Sequence, residues 1–377
     1  MLALFFCGLI ASIDATAEQT DWPHPRGGLQ GLGVADVTLQ DSYKPAWTYK
    51  TQGAVLSSPI IVDGVVYVGS EDKHLHAIDA KTGQEKWKLA TETLIDASPI
   101  YDDGVVYIGT DGGLLLAVDV ATGKPKWQFK TGGRIAGEAA VTMINREDGG
   151  KDKVVVVGSH DGLLYCLNAS DGTKRWTYET GDYVNCGIVV NHNTIVLGGC
   201  DTMMHLIALN TGEAIAQIEL GGEVAGTPAL SAGHAYIGHM QGEVLAVDLK
   251  EKKVTWRFRD RDFPFIGSPA LAGDTLLIGS RGRRLYAVDR KTGEKLWDIR
   301  TRGGVEGAPV IAKDRAIFGS AGGRLSIIKI KDGSTVWEHD LGGAMNVSPA
   351  VTDELIVVGS EDNNIYAFTP SKTPKPD

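Results

Sequence analysis

AIDAKTGQEKW, at residues 77–87, is one copy of a motif that recurs along the chain. Close copies are AVDVATGKPKW (117–127), CLNASDGTKRW (166–176) and AVDRKTGEKLW (287–297), and looser ones are AVDLKEKKVTW (246–256), IKIKDGSTVW (328–337) and ALNTGEAIA (208–216). The final position of the motif is Trp at 47, 87, 127, 176, 256, 297 and 337, and Ala at 216. These positions lie 40 or 41 residues apart, except for one gap of 49 that holds the polar insertion MINREDGGKDK (143–153). The chain therefore contains eight repeats.

Each repeat contains four short segments of β-forming residues. In the first repeat they are LSSPIIV (56–62), VVYVGS (65–70), LHAID (75–79) and KWKLA (86–90). Asp63-Gly64 predicts a two-residue hairpin turn, and the run from Asp79 to Thr82-Gly83 predicts a second tight turn. No segment sustains the 3.6-residue apolar spacing of a helix. The pattern predicts an all-β fold, an eight-bladed β-propeller of four-stranded antiparallel blades.

The two ends of the repeat region are complementary. The last repeat stops at NIYAFTP (364–370), after its third strand, and the first β segment of the chain, AWTYK (46–50), is of the outermost type. We therefore expect the N-terminal strand to join the last blade and close the ring. The expected organisation is a signal peptide at 1–17, an extended leader at 18–44, the propeller at 45–370 and a disordered tail at 371–377.

The unit Ala-x-Asp-x-x-Thr-Gly-x-x-x-Trp, followed by a Gly-rich turn and Ser-Pro, resembles the pyrroloquinoline-quinone (PQQ)-like repeat over residues 45–369. That repeat builds quinoprotein alcohol dehydrogenases and BamB-like outer-membrane assembly proteins. The resemblance implies that tryptophans dock between neighbouring blades, here Trp47, Trp87, Trp127, Trp176, Trp256, Trp297 and Trp337. The leader DWPHPRGGLQG (21–31) is similar to the Trp-x-x-x-Arg-Gly segment of secreted bacterial proteins with these repeats, which implies that Trp22 and Arg26 either cap the ring or tether the leader to a blade.

Alternating strand directions place two kinds of loop on one face, where binding residues are expected because these loops vary between repeats. Three residues before the usual Pro of each innermost segment, eight side chains would form a ring, and four of them are polar. Such a ring predicts either a site for a metal, water cluster or ligand, or a solvated channel mouth. Its members are Leu56, Asp96, Ala136, Asn185, Ala225, Ile266, Glu306 and Asn346. Glu138, where most repeats carry the smaller Ser, Thr or Ala, is a further candidate for binding a cofactor.

Charge on the same face is divided between two sides of the predicted ring. Blades 8 and 1 contribute acidic residues, and blade 6 with its flanking loops contributes arginines. This distribution predicts either a surface for a protein or charged polymer, or ordinary solvated charge. The residues are Glu71, Asp72, Glu361, Asp362, Arg261, Arg281, Arg283, Arg284 and Arg302.

Composition and the N-terminus restrict location and partners. The net charge of −10 disfavours nucleic acid. The apolar run Leu2–Ile13 followed by Ala15-Thr16-Ala17 predicts a signal peptide, and hence a periplasmic or secreted protein. Cys7 lacks the small residues of a lipid-attachment site before it, so a lipid anchor is not expected. No later stretch is apolar enough to span a membrane. Cys186 and Cys200 would lie at the start and the end of one hairpin, nearly opposite each other, and this spacing allows either a disulfide or two free thiols.

Two functions remain open at this stage. The first is a non-catalytic, BamB-like scaffold of the cell envelope, monomeric, without cofactor, metal or catalytic residues, that binds a protein or an extracellular ligand such as a polysaccharide. The second is a PQQ-dependent oxidoreductase with calcium beside the quinone. We favour the first, because the chain has no adjacent cysteines and its tryptophans occupy docking positions. No P-loop, nucleophile elbow or Cys-x-x-Cys motif points to another chemistry.

Overall fold

A computed structural model describes residues 21–146 and 148–371. Within them are 32 strands and no helix, arranged as eight four-stranded antiparallel sheets. This confirms the predicted all-β propeller of eight blades. The expected signal peptide lies outside the described residues, and so does the expected tail apart from Ser371. No helix that could cross a membrane was found in the described part of the chain.

Each blade runs from an innermost strand at the axis to an outermost strand at the rim. Blades 1 to 4 consist of β2 (Ile60–Val62), β3 (Val65–Ser70), β4 (His74–Asp79) and β5 (Glu85–Ala90); β6 (Ile100–Asp102), β7 (Val105–Gly109), β8 (Leu114–Asp119) and β9 (Lys124–Lys130); β10 (Ala140–Asn145), β11 (Lys151–Gly158), β12 (Leu163–Asn168) and β13 (Lys174–Glu179); and β14 (Val189–Asn191), β15 (Thr194–Gly198), β16 (Met203–Ala208) and β17 (Ala214–Glu219).

The remaining strands repeat this order. Blades 5 to 8 consist of β18 (Ala229–Ser231), β19 (His234–Gly238), β20 (Val244–Asp248) and β21 (Lys253–Phe258); β22 (Ala270–Ala272), β23 (Thr275–Ser280), β24 (Arg284–Asp289) and β25 (Lys295–Arg300); β26 (Val310–Ala312), β27 (Arg315–Ser320), β28 (Arg324–Lys329) and β29 (Thr335–Asp340); and β30 (Ala350–Val351), β31 (Ile356–Ser360), β32 (Asn364–Pro370) and β1 (Tyr43–Lys50).

The first strand closes the ring, as the sequence predicted. β1 pairs antiparallel with β32, with Trp47 opposite Ala367, and so becomes the outermost strand of blade 8. Innermost strands are shorter than predicted: in blade 1 the ladder begins at Ile60 rather than Leu56. Pro59 has no N–H for a ladder, and the Ser57 hydroxyl accepts the N–H of Gly69 at 3.1 Å instead. The preceding residues are therefore free to face the axis.

Neighbouring blades are joined by an indole and a turn. The Nε1–H of Trp47 donates to the carbonyl of Ala80 in blade 1 at 2.8 Å. The ring lies against Gly83, which has φ +72° and where a Cβ would lie 2.6 Å from the indole. Five further tryptophans donate in the same way, namely Trp87, Trp127, Trp176, Trp256 and Trp297. Trp337 instead packs edge-on against Tyr43 and Phe368, with ring centroids 5.5 Å apart in each case.

The joint between blades 4 and 5 lacks both partners. Ala216 stands in the tryptophan position of β17, and Lys252, with φ +55°, stands in the turn position that is glycine at the six indole-bonded joints. The Lys252 ammonium donates to the Ile215 carbonyl at 3.3 Å. Because no indole packs against this turn, the turn tolerates a side chain. Ala216 and Lys252 together therefore replace the Trp–Gly contact of the other joints.

Candidate functional site

The two faces of the ring carry different connections. The hairpins after the first strands and the turns after the third strands lie together on one face, here called the turn face; the Ala80 N–H donates to Gly64 O across it at 2.9 Å. The loops after the second strands and the inter-blade loops lie on the other, the loop face, where the Glu71 N–H donates to Ala54 O at 2.9 Å. Most connections on the turn face follow one pattern, apart from the enlarged β10–β11 hairpin of blade 3 and the Lys252 turn of blade 5. Residues on the loop face vary from blade to blade.

The leader crosses the turn face and covers that end of the axis. Trp22 exchanges two backbone hydrogen bonds with Ile61 of blade 1, at 2.7 and 3.1 Å. Further along, leader carbonyls accept N–H groups from the innermost strands of blades 2, 4, 5, 6 and 7, namely those of Tyr101, Val190, Leu230, Leu271 and Ile311. Thr38 then donates to Asp353 of blade 8 at 3.2 Å. One extended segment thus satisfies strand edges around most of the ring.

All eight residues of the predicted ring line one cavity on the axis. It has a volume of about 180 Å³ and receives one member from each blade. Its lower wall is a belt of small residues that bond from blade to blade: Ser348 N–H donates to Ser58 Oγ, and Ser58 N–H donates to Ser98 Oγ, both at 3.0 Å. A larger groove, about 1220 Å³, lies elsewhere, on the turn face beside Lys81 and Leu355 where blade 8 lacks a turn.

Arg26 of the leader forms the floor of the cavity. Its Nη2 donates to the carbonyls of Gly31 and of Pro269 in blade 6, the latter at 2.6 Å. Nε and Nη1 are buried and have no partner among the described residues. Burial lowers the pKa of Arg26 to about 10, so the guanidinium is charged at neutral pH. The sequence predicted that Arg26 either caps the ring or tethers the leader to a blade. In the structure Arg26 lies at the end of the axis and also bonds to blade 6.

Glu138 interrupts the belt of small residues at blade 3. The Thr227 hydroxyl donates to its carboxylate at 3.3 Å, and Thr227 itself accepts the Gly187 N–H at 2.9 Å. Gly187, in the adjacent blade, provides the space for the longer side chain, since a Cβ there would lie 2.3 Å from Glu138 Cδ. The carboxylate also acts on Arg26 through space. Glu138 is therefore part of the cavity floor.

The polar ring members in blades 2 and 4 bond outward to the loop face. Asp96 accepts from Arg134 at 2.7 Å, while burial, reinforced by the charge of Asp111, raises the pKa of Asp96 to about 6. Asn185 bonds to His160 and donates to the Cys200 sulfur at 3.0 Å. These side chains thus form the rim of the cavity; Asp96 Oδ2 and Asn185 Oδ1 are engaged, whereas Asp96 Oδ1 is buried without a hydrogen-bond partner among the described residues.

The polar ring members in blades 7 and 8 also bond outward to residues of the loop face. Arg281 donates to both carboxylate oxygens of Glu306, at 3.1 and 3.3 Å. Asn346 donates to Glu361 at 2.7 Å. The four polar members of the ring are therefore brought into one mouth, but each is paired with a neighbour rather than with another member.

The nine predicted surface residues divide into two groups. Asp72 accepts from Gln52 N–H and from His76, Asp362 accepts from Tyr366 at 2.6 Å, and Arg284 pairs with Asp298, so these three belong to the framework. Arg261, Arg281, Arg283, Arg302 and Glu361 are exposed and Glu71 is half-buried, and all six lie on the loop face.

Two exposed aromatic side chains on the loop face were missed by the sequence analysis. Tyr183, which stacks on His160 with ring centroids 5.0 Å apart, is 53% exposed, and Phe263 is 47% exposed. Phe263 packs over Gly282, between Arg261 and the arginine-rich loop of blade 6. Phe263, Arg261, Arg281, Arg283 and Arg302 are here called the blade-6 sector. The sequence did contain an indication of this exposed ring, because Phe263 follows directly after charged residues in RDRDFPF (259–265).

The cysteine pair left open by the sequence is not bonded. Cys166, Cys186 and Cys200 are free thiols. The Cys186 thiol donates to the Gly198 carbonyl at 3.1 Å, and Cys200 accepts from Asn185. Burial raises the pKa of Cys186 to about 12, which makes it unreactive at neutral pH.

The axial cavity is smaller than an ordinary small-molecule pocket. Its 180 Å³ is below the roughly 300–1,000 Å³ of ordinary small-molecule pockets. The seven docking tryptophans lie on outermost strands, away from the axis. The carboxylates of Asp96 and Glu306 are paired with arginines. Among the described residues, no cluster of three His, Cys, Asp or Glu side chains could hold a metal ion.

Fold and axial geometry define an eight-bladed propeller of PQQ-like repeats. The family described as outer membrane protein assembly factor BamB matches residues 33–146 and 260–373, and the chain belongs to this family. The family described as lambda-carrageenase beta-propeller domain matches residues 106–221. No protein with a curated function matches the sequence.

Solved structures with this fold include a BamB, dehydrogenases and a designed protein. BamB from Moraxella catarrhalis is similar with a TM-score of 0.72 at 19% identity, covering 87% of this chain and all of that one. The quinohemoprotein alcohol dehydrogenase from Comamonas testosteroni has a TM-score of 0.75 at 14% identity, covering 94% of this chain and 82% of that one. The designed protein Ika8 has a TM-score of 0.72 at 15% identity, covering 87% and 100%. At these identities the likeness concerns the fold alone.

Proposed function

We propose that this protein is a non-catalytic scaffold of the bacterial cell envelope, located in the periplasm or secreted, that binds another protein through its loop face. One observation carries the proposal: the leader covers one end of a rigid ring, and the other end presents variable loops with exposed aromatic and arginine side chains. The family description, an outer membrane protein assembly factor, supports a role in assembling other proteins.

The blade-6 sector is the part of the loop face that we propose as the centre of the contact. Aromatic and arginine side chains dominate the energetics of protein interfaces, because they bury large areas and form several hydrogen bonds each. Arg283 has no ion-pair partner among the described residues, and Phe263 exposes about half of its surface. A partner with acidic and apolar residues matches this surface. A polysaccharide ligand is the other binding hypothesis, which titration of the same variants with polysaccharide would test.

The variants Phe263→Ala and Arg283→Glu test the proposed interface, and we expect both to bind the partner more weakly. Each variant is compared with the original protein in capture of envelope proteins from the source organism, quantified by mass spectrometry, followed by titration against the captured partner. We expect at least a tenfold weaker affinity. Leu296→Ala is the matched control, because Leu296 is 50% exposed but lies on the rim strand β25. Equal capture by all three variants would refute the loop-face proposal.

A PQQ-dependent oxidoreductase is the alternative, since enzymes such as the europium-containing methanol dehydrogenase share the fold with a TM-score of 0.74 at 12% identity, covering 93% of this chain and 98% of that one. The small cavity and the paired carboxylates support the scaffold instead. Purified protein incubated with PQQ and Ca²⁺ should show neither a bound-quinone spectrum nor dye-linked alcohol oxidation. Micromolar quinone binding with turnover would replace the scaffold proposal with the enzyme.

A further inference from the structure

The outermost strands divide the rim of the ring into two halves of different charge. β1, β5, β9 and β13, in the adjacent blades 8, 1, 2 and 3, carry nine basic and two acidic residues, and all nine basic residues are exposed. β17, β21, β25 and β29, in blades 4 to 7, carry four residues of each sign. In a chain with a net charge of −10, the first group is a local concentration of positive charge. These four strands are here called the basic rim.

Most of this positive charge has no ion-pair partner within the described molecule. Three of the nine basic residues pair with carboxylates. The other six have no ion-pair partner among the described residues; they are Lys44, Lys50, Lys124, Lys126, Lys130 and Lys174. The carboxylates of the adjoining turns, Asp79, Asp119 and Asp171, each accept a backbone N–H of their own turn at 2.9 Å. Even with these three included, basic residues outnumber acidic ones nine to five.

Neighbouring blades bring basic residues together beside the rim. A groove of about 540 Å³ between blades 2 and 3 is lined by Lys126 of β9 and by Lys151 and Arg175 of blade 3. Its carboxylates are all paired, namely Asp102 and Asp103 with Lys153, and Asp152 with Arg175. Lys126 and Lys151 are exposed and have no such partner in the part of the chain that the structure describes. Cations of two blades are therefore available in one open groove.

The shape and the apolar content of the basic rim select among anionic partners. Exposed large apolar side chains of the described residues, such as Ile215 and Leu296, all lie outside its four strands. A flat bilayer touches only a short arc of a curved rim, and binding to it also uses apolar side chains that insert between lipids. Single-stranded nucleic acid is held by aromatic stacking, and duplex nucleic acid is too stiff to follow the rim over several blades. A flexible linear polyanion matches the surface best.

We propose that the basic rim binds an acidic polysaccharide, a linear chain of carboxylate- or sulfate-bearing sugars that follows blades 8, 1, 2 and 3. A lysine ammonium is a flexible point charge rather than a bidentate fork, which suits anionic groups that lie at irregular positions along a mobile chain. Counterions released from the polymer drive such binding, so affinity falls with salt. The site does not depend on the proposed protein contact, because the blade-6 sector lies in the other half of the ring.

Biolayer interferometry of the full chain on immobilised dextran sulfate and polygalacturonate, with neutral dextran as the blank, tests the proposal. We expect saturable binding to at least one acidic polymer and none to neutral dextran. Affinity should fall at least tenfold between about 50 and 200 mM salt. The two acidic polymers distinguish sulfate-bearing from carboxylate-bearing ligands. Phosphatidylglycerol vesicles, measured in the same buffer, should bind more weakly than the better polymer.

Two matched triple variants locate the contact. The rim variant, Lys124→Gln/Lys130→Gln/Lys174→Gln, removes three charges of β9 and β13 and should weaken binding at least about tenfold. The control variant, Lys253→Gln/Lys295→Gln/Arg300→Gln, removes three charges at the equivalent positions of β21 and β25. It should change affinity less than about twofold, because charges farther from the ligand than a Debye length of roughly 8 Å are screened. All six side chains are exposed, so both variants should melt like the original protein.

Absence of saturable binding to both acidic polymers would overturn the proposal. So would an equal loss of affinity in the rim and control variants, which would mean that the polymers are attracted to positive charge anywhere on the surface. Stronger binding to phosphatidylglycerol vesicles than to either polymer, lost in the rim variant, would replace the polysaccharide with a lipid surface. Weaker binding by the rim variant alone, with an unchanged thermal melt, is the result that supports the site.

Discussion

The turn face and the loop face differ in what occupies them. On the turn face, leader side chains such as Trp22, Val37 and Leu39 are buried, and the leader backbone bonds to strand after strand. On the loop face, aromatic rings such as Phe263 remain exposed, and Arg281 pairs with Glu306 of the next blade. Innermost strands present the same edge in every blade, so one extended segment can satisfy most of them. Loops carry no such constraint, and one face of the ring is left free to vary.

The largest test of this difference removes the turn-face segment. Deleting residues 1–50 takes away the leader and β1, which exposes the edge of β32 in blade 8. We expect loss of the cooperative thermal transition, measured by circular dichroism. Deleting residues 371–377 should leave the melting temperature within about 2 °C. Indistinguishable melts would mean that neither the leader nor β1 holds the ring closed.

A matched pair of aromatic substitutions compares the faces directly. Trp22→Ala removes a side chain that is 3% exposed and should cost about 3–5 kcal/mol of unfolding free energy. Phe263→Ala removes one that is 47% exposed and should cost about 1 kcal/mol or less. Urea denaturation measures both. A larger cost for Phe263 would show that the loop face is part of the core rather than a free surface.

Histidines beneath the loop face should make the protein sensitive to acid. His205 is buried between Tyr178 and Asp201, each 2.9 Å away, and burial lowers its pKa although Asp201 opposes the shift. Because the unfolded chain takes up the proton more readily, stability falls as pH drops below about 6.5. Urea midpoints between pH 8 and 5 should show this decline, and His205→Gln should reduce it. An unchanged slope in the variant would assign the decline to other groups.

Titration of Asp96, at the rim of the cavity, should change the stability of the protein with pH in the opposite direction. Its pKa is raised from 3.8 to about 6, so the folded state binds its proton more tightly than the unfolded state. The resulting destabilisation is fully present above pH 6 and is relieved as pH falls through 6 toward 3.8. Asp96→Asn should therefore raise the urea midpoint at pH 8 and lose that advantage at pH 4. A lower midpoint at pH 8 would show that the ion pair with Arg134 outweighs burial.

The smallest stability effect is expected on the loop face itself. Arg283→Glu replaces an exposed side chain without an ion-pair partner in the described part of the chain and should change unfolding free energy by no more than about 0.5 kcal/mol. The same urea titration measures it. A cost above about 1 kcal/mol would place Arg283 in the framework, as the structure does for Arg284.

Much of the candidate site was predictable because it follows the repeat. The eight ring positions are equivalent in every blade, so alignment alone brought Asp96, Asn185, Glu306 and Asn346 to one mouth. Their partners were not predictable, since Arg134 and Arg281 come from loops whose sequences do not recur. Ala216 was visible as a missing tryptophan, but its match with Lys252 required the packed joint between two blades.

By itself, the sequence determined the number of blades, the four-stranded pattern and the closure by β1, because periodic β segments and turn residues act locally and identically in each repeat. Only the tertiary structure decided the path of the leader, the burial of Arg26 nitrogens without partners among the described residues, and the free state of Cys186 and Cys200. These features depend on contacts between unique segments far apart in the chain, such as Arg26 with Pro269, for which no local pattern exists.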